Sequence, residues 1–171
     1  MEKKLYLTKA APENLDAAME IINRGKRYLK RQGIDQWQTG YPAVADISRD
    51  IARGKGWFVT DGDSLLAYMC IDFDSEEAYN NINGRWLTDT DNYIVVHRLA
   101  MSDAGRGKGL SSRALRLAEE AGRGGGAVSV RVDTDPANTI MQKVIAKAGF
   151  TLCGSIWFDG GDKTAFEKLI K

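Results

Sequence analysis

The stretch His97–Gly122, "HRLAMSDAGRGKGLSSRALRLAEEAG", decides how this chain folds. It is entered by "NYIVVHRLAM", a nearly continuous apolar run of the kind that forms a central strand buried on both faces. It is left by Leu110, Ala114, Leu115, Leu117, Ala118 and Ala121 at helical spacing, with Gly122 expected to end the helix. Between strand and helix stand Gly105, Gly107 and Gly109, alternating with Arg106 and Lys108. Glycine lets a backbone turn sharply and lets a ligand approach its amides. The two cations suggest that the ligand is an anion. A helix start supplies unpaired N–H groups and the positive end of its dipole, and Ser111 and Ser112 add hydroxyls. The unit is a candidate pyrophosphate cradle, and the competing reading is a tight turn that only joins strand to helix.

Two familiar phosphate loops do not fit. A Walker loop needs serine or threonine after its lysine to hold magnesium, and Gly109 follows Lys108. The dinucleotide fingerprint needs a glycine at Leu110 or Ser112, depending on the start chosen, and both fail. "GRGGG" at Gly122–Gly126 follows a helix rather than a strand and reads as a linker.

Outward from this unit the chain alternates elements. "KLYLTKA" reads as a short strand. Pro12 opens a helix that carries Leu15, Ala18, Met19 and Ile22 and stops by Gly33. A polar loop with Trp37 and Tyr41 precedes a short helix near Ala43–Arg53. "GWFVTDGDSLLAYMCIDF" reads as a hairpin, and "SEEAYNNINGRWLTDTD" as a connector or lid. After the glycine loop and its helix, Val128, Val130 and Val132 mark another strand. Asp135 and Pro136 are expected to open a helix that Gly149 closes, and two strands around "DGGD" finish the chain. The order predicts an α/β domain with a mixed sheet, residues 1–171 forming a single domain.

Of the 171 residues 43% are hydrophobic, enough for a proper core, and a net charge of +1 argues against a nucleic-acid binder. No run approaches the roughly 20 apolar residues of a membrane span, and the start lacks a signal-like segment. Cys70 and Cys153 stand apart and His97 is the one histidine, so neither a disulfide framework nor a metal site is expected. The expectation is a soluble, cytoplasmic protein.

"HRLAMSDAGRGKGLSSRAL" resembles motif A of the GNAT superfamily of N-acetyltransferases, whose core is [Gln/Arg]-x-x-Gly-x-[Gly/Ala]. Here it reads Arg106-Gly107-Lys108-Gly109-Leu110-Ser111, with serine in the last small position. "DTDPANTIMQKVIAKAGF", Asp133–Phe150, is similar to motif B. The resemblance implies a mixed, mostly antiparallel sheet flanked by helices, with two central strands splayed apart. It implies acetyl-CoA as cosubstrate: Leu99, Ala100 and Met101 would lend backbone groups to the pantetheine. Arg106, Gly107, Lys108, Gly109, Leu110 and Ser111 would cradle the pyrophosphate, and Asn138 would reach the pantetheine arm. The partner implied is a small-molecule or peptide amine, with a homodimer left open, and neither nucleic acid nor a membrane.

Acetyl transfer needs a neutral amine, and neutralising a lysine-like amine at pH 7 costs about 4–5 kcal/mol. A positioned base removes much of that cost. Histidine is suited to this task by its ordinary titration range. Family members that acetylate arylalkylamines resemble this chain in carrying histidine on the matching strand, so His97 is the candidate base, the alternative being a core histidine. The motif B tyrosine that usually acts as acid is Ile145 here; water or Tyr93 could protonate the leaving thiolate. Cys153 reads as packing rather than as a relay nucleophile. Trp37 and Tyr41 are weak candidates for the acceptor pocket, against the plainer role of capping the core. Asp35, Asp72 and Asp74 could hold a cationic acceptor. The alternative to an active enzyme is a catalytically silent acyl-CoA-binding regulatory module, favoured by the missing tyrosine.

Overall fold

The computed structural model describes residues 2–107 and 109–171. The alternating start forms β1 (Tyr6–Lys9). Pro12 has no N–H to leave unpaired, so it opens a 3-10 turn that runs into α1 (Leu15–Arg31). Gly33, at φ 72°, reverses the chain behind that helix. In α2 (Val44–Ala52), Asp46 at the third helical position takes the Ala43 N–H at 2.7 Å. The hairpin β2 (Gly56–Thr60) and β3 (Leu65–Asp72) turns where Asp61 accepts the N–H groups of Asp63 and Ser64. There follow β4 (Asn83–Gly84), β5 (Tyr93–Met101), α3 (Leu110–Gly124) and β6 (Ser129–Thr134). The chain closes with α4 (Thr139–Lys147), β7 (Thr151–Phe158) and β8 (Gly161–Leu169).

The sheet order is β1-β2-β3-β5-β6-β8-β7-β4. The pairs β1/β2, β2/β3, β6/β8, β7/β8 and β4/β7 are antiparallel, and β5/β6 is parallel. The fold is thus the mixed, mostly antiparallel α/β sheet that the motifs imply. The chain divides into two compact units, one of residues Met1–Ile71 with Arg98–Ala114, the other of Asp72–His97 with Leu115–Lys171. In the first, α1 and α2 bury Ala18, Ile21, Ile22, Ile47 and Ile51 against Phe58, Tyr68 and Ala100. In the second, Tyr79, Tyr93, Val95, Ile156 and Ala165 form a core joined by Trp86 and Phe158.

Two local expectations change. Gly122 does not end α3, which continues to Gly124; it is a packing position, where a Cβ would lie 2.9 Å from Ile94 and 3.1 Å from Ile170. The motif B helix does not start at Pro136. Asp135 spends its carboxylate on the Ala137 N–H at 2.9 Å, and Asn138 caps α4 by accepting the Met141 N–H at 3.2 Å. The polar connector is tied to the core along its length. Tyr79 is 1% exposed, and the Trp86 indole N–H donates to its carbonyl at 2.8 Å. Fully buried Glu167 accepts the Leu87 N–H, the Thr88 and Ser129 hydroxyls and the Arg131 guanidinium at 2.6–3.0 Å. Arg131 lies between the rings of Trp86 and Tyr93, 4.2 and 4.0 Å from their centroids. No helix among the described residues is long and apolar enough to cross a membrane.

Candidate active site

β5 and β6 pair in register only at Tyr93↔Ser129, Ile94↔Val130 and Val95↔Arg131. Both strands run further, so the parallel ladder opens before His97. At Arg98 the backbone enters the left-handed region, φ 54°, which costs a residue with a Cβ roughly 1–2 kcal/mol. Opened ladder and bent strand are what splayed central strands look like locally.

In the first unit β5 leads into the glycine loop. Ser102 fastens the strand end, its N–H to the Leu66 carbonyl at 2.9 Å and its hydroxyl to the Leu65 carbonyl at 2.7 Å. A 3-10 turn, Asp103–Gly105, follows. The glycines serve two different purposes. Gly105 is needed for close approach, since a Cβ there would sit 2.2 Å from the Leu66 carbonyl oxygen. Gly107 and Gly109 are needed for conformation: φ is 74° and 62°, and open space surrounds both positions. Leu110, 3% exposed, anchors the start of α3, and the Ser112 hydroxyl donates to the Gly109 carbonyl at 3.0 Å. Arg106 is exposed, with its guanidinium 5.8 Å from the Tyr28 ring centroid. Lys108 lies outside the described residues. From α1, buried Arg24 pairs with Asp103 and donates to the Met101 carbonyl at 3.0 Å. A loop that exposes two left-handed glycines at a helix start can present its amides to an anion.

In the second unit His97 is 8% exposed and stacks on Phe158, with ring centroids 5.6 Å apart. Its Nε2 lies 3.7 Å from Glu76 Oε2, beyond hydrogen-bond reach. Glu76 caps the short turn Glu77–Asn81, and its own N–H donates to the Tyr93 hydroxyl at 3.0 Å. Close by, the Tyr79 hydroxyl donates to Asp133 Oδ2 at 2.6 Å. Burial pushes the Asp133 carboxyl up, opposed by His97, Tyr79 and Lys163. Burial, and then the Asp133 charge, drives the Tyr79 phenol well above its ordinary range, so it keeps its proton.

Other sequence candidates turn out to have structural contacts. Trp37, itself at φ 64°, packs over Gly25, where a Cβ would lie 3.1 Å from the indole. The Tyr41 hydroxyl receives an Arg98 N–H at 2.6 Å. Asn138 is buried with its side-chain oxygen on α4, Ile145 is 2% exposed, and Tyr93 is 1% exposed in the core. Cys153 is buried, its thiol pushed up by burial and then by Glu167. Glu76, Tyr79 and Asp133 were not singled out by the sequence. Glu76 carried one faint local signal, an acidic residue at the cap of a turn.

A model of the acetyltransferase (GNAT) family matches residues 17–150. A GNAT-family acetyltransferase from Streptococcus agalactiae, known from its crystal structure, is 32% identical, covering 98% of this chain and 96% of its own, with a TM-score of 0.89. One from Listeria monocytogenes is 22% identical over 96% of this chain and 94% of its own, with a TM-score of 0.76. The aminoglycoside acetyltransferase AAC(6')-Ib, solved with coenzyme A and kanamycin, shares the fold at 18% identity and a TM-score of 0.70, covering 97% of this chain and 95% of its own. No curated protein matches the chain. With the family match spanning most of the sequence and the glycine loop, the opened β5/β6 ladder and the sheet order all in place, the chain belongs to the GNAT family of acetyltransferases.

Proposed function

We propose that this acetyltransferase moves the acetyl group of acetyl-CoA directly to a primary amine, with residues 1–171 working as one domain. The observation that carries the reading is His97 on β5 with Glu76 beside it, followed along the strand by Leu99–Met101 and then by the glycine loop. The donor side fits acetyl-CoA by its chemistry. The left-handed glycines Gly107 and Gly109, the first amides of α3 at Leu110 and Ser111, and the exposed Arg106 suit a pyrophosphate, with Lys108 next to them in sequence. Leu99, Ala100 and Met101 offer strand backbone to the pantetheine, and Asn138 is the further contact proposed for that arm. The structural neighbour solved with coenzyme A and kanamycin supports this choice of donor and a small-molecule amine as acceptor.

The acceptor side supports a cationic amine. One nitrogen placed about 2.8 Å from both His97 Nε2 and Glu76 Oε2, across their 3.7 Å gap, subtends roughly 80° between them, within reach of two N–H bonds of an ammonium. Glu76, with its side chain 26% exposed, draws in the charge, and His97 accepts a proton. The neutral amine then attacks the thioester carbonyl. The new C–N bond forms, the C–S bond breaks, the amine's remaining extra proton passes to solvent because His97 already holds the first, and coenzyme A leaves as a thiolate that takes a proton. With Ile145 buried where the family carries its tyrosine, that last proton comes from water.

Titration with coenzyme A, followed by thiol release from acetyl-CoA against a panel of primary amines, tests the reading. Coenzyme A binding with turnover on some amines supports it. Binding with no turnover on any amine favours a silent acyl-CoA-binding module, for which the missing motif B tyrosine speaks.

A further inference from the structure

β5 bends at a charged residue. A strand position at φ 54° would suit glycine, yet the residue there is Arg98. Its side chain is 13% exposed, and each guanidinium nitrogen donates a hydrogen bond. Nε and Nη2 donate to the two oxygens of Asp50 at 2.7 and 2.5 Å, and Nη1 donates to the Tyr41 hydroxyl at 2.6 Å. Asp50, on α2 and 5% exposed, also receives the Tyr68 hydroxyl of β3 at 3.0 Å. Burial alone would lower the Arg98 pKa, but the bond to Asp50 and its neighbours raise it, so the group stays charged. A helix and the loop before it thus converge on one left-handed residue, and a strand braces the helix carboxylate.

The residues that follow are gripped as well. Ala100 packs on Gly25 of α1, where a Cβ would lie 3.3 Å from it, and Trp37 fills the same contact. The Met101 carbonyl receives Arg24. The backbone from Arg98 to Met101 is therefore clamped by side chains at its first, third and fourth residues. The two loop aromatics, Trp37 and Tyr41, are part of that clamp.

We propose that Arg98, with Asp50 and Tyr41 as its partners, is a positioning residue for acetyl-CoA: it holds the bend in β5 that aims the backbone of Leu99–Met101 at the pantetheine. The inference rests on the acetyl-CoA reading above. The ion pair acts through backbone direction and does not touch the ligand, so a residue that restores the backbone without the charge restores binding.

The test is calorimetric titration with coenzyme A, with thermal melts alongside. It compares wild type, Tyr41→Phe, and two double variants, Asp50→Asn with Arg98→Ala and Asp50→Asn with Arg98→Gly. Neither double variant leaves a buried charge unpaired, but only glycine accepts the left-handed conformation freely. The expected result is a Kd about tenfold or more above wild type for the alanine pair, with the glycine pair binding about fivefold tighter than the alanine pair. Tyr41→Phe, which removes a single hydroxyl, should weaken binding about threefold while the protein stays folded. Equal affinities for the glycine and alanine pairs overturn the inference, as does wild-type affinity in Tyr41→Phe should the double variants not fold. A wild-type protein that does not bind coenzyme A overturns the parent reading instead.

Discussion

His97 and Glu76 stand 21 residues apart in sequence, yet Nε2 of the one lies 3.7 Å from Oε2 of the other. At that spacing neither satisfies the other, and a buried imidazole is left facing a carboxylate. His97→Gln should lower turnover about 10²–10⁴-fold, leaving coenzyme A affinity largely intact. Glu76→Gln should mainly raise KM for cationic amines, by about tenfold, with a smaller effect on kcat. Steady-state kinetics across pH check both. Wild-type turnover in His97→Gln would return His97 to the role of a core residue.

The glycine loop separates binding from stability. Gly109→Val forces a β-branched residue to φ 62° where amides should meet phosphate, and coenzyme A binding should fall by more than about tenfold. Gly105→Ala instead puts a Cβ 2.2 Å from the Leu66 carbonyl oxygen, so its dominant effect should be a lower melting temperature. Calorimetry and thermal melts of the two variants check this contrast, and undiminished affinity in Gly109→Val would reject the loop as the phosphate site.

Ile145 is 2% exposed, at the position where the motif B resemblance implies a tyrosine. Ile145→Ala should therefore behave as a core truncation costing about 2–5 kcal/mol. Chemical denaturation measures the loss. Unchanged stability with lost turnover would show that this residue takes part in the chemistry.

Glu167 gives a pH dependence with a definite sign. Burial alone would raise its pKa, but hydrogen bonds from Ser129, Thr88 and Arg131 outweigh that and hold it below its ordinary 4.5. Its contribution to stability is therefore complete above about pH 4.5 and is lost as pH falls through the lower folded value. Glu167→Gln should cost about 3–5 kcal/mol at neutral pH by leaving Arg131 buried without its counter-charge. The difference between wild type and variant in urea unfolding should shrink below pH 4.5. A difference that stays constant down to pH 2–3 would show that the carboxylate's charge is not what holds the connector.

What the sequence determined by itself was local. The two left-handed glycines, the strand before them and the helix after them are each set by neighbouring residues, because backbone conformation and hydrophobic period act over a few positions. The motifs read from those residues were enough to assign the family and the sheet. Tertiary structure decided the rest. Asn138 rather than Asp135 caps α4, because Asp135 is drawn into its own turn. Gly122 serves packing against Ile94 and Ile170, which a helix-end rule cannot register. The pairs on which the proposals rest, His97 with Glu76 and Arg98 with Asp50, join residues with no periodic or motif relation. Burial makes polar groups costly unless they find partners, and only the folded chain determines which groups come together.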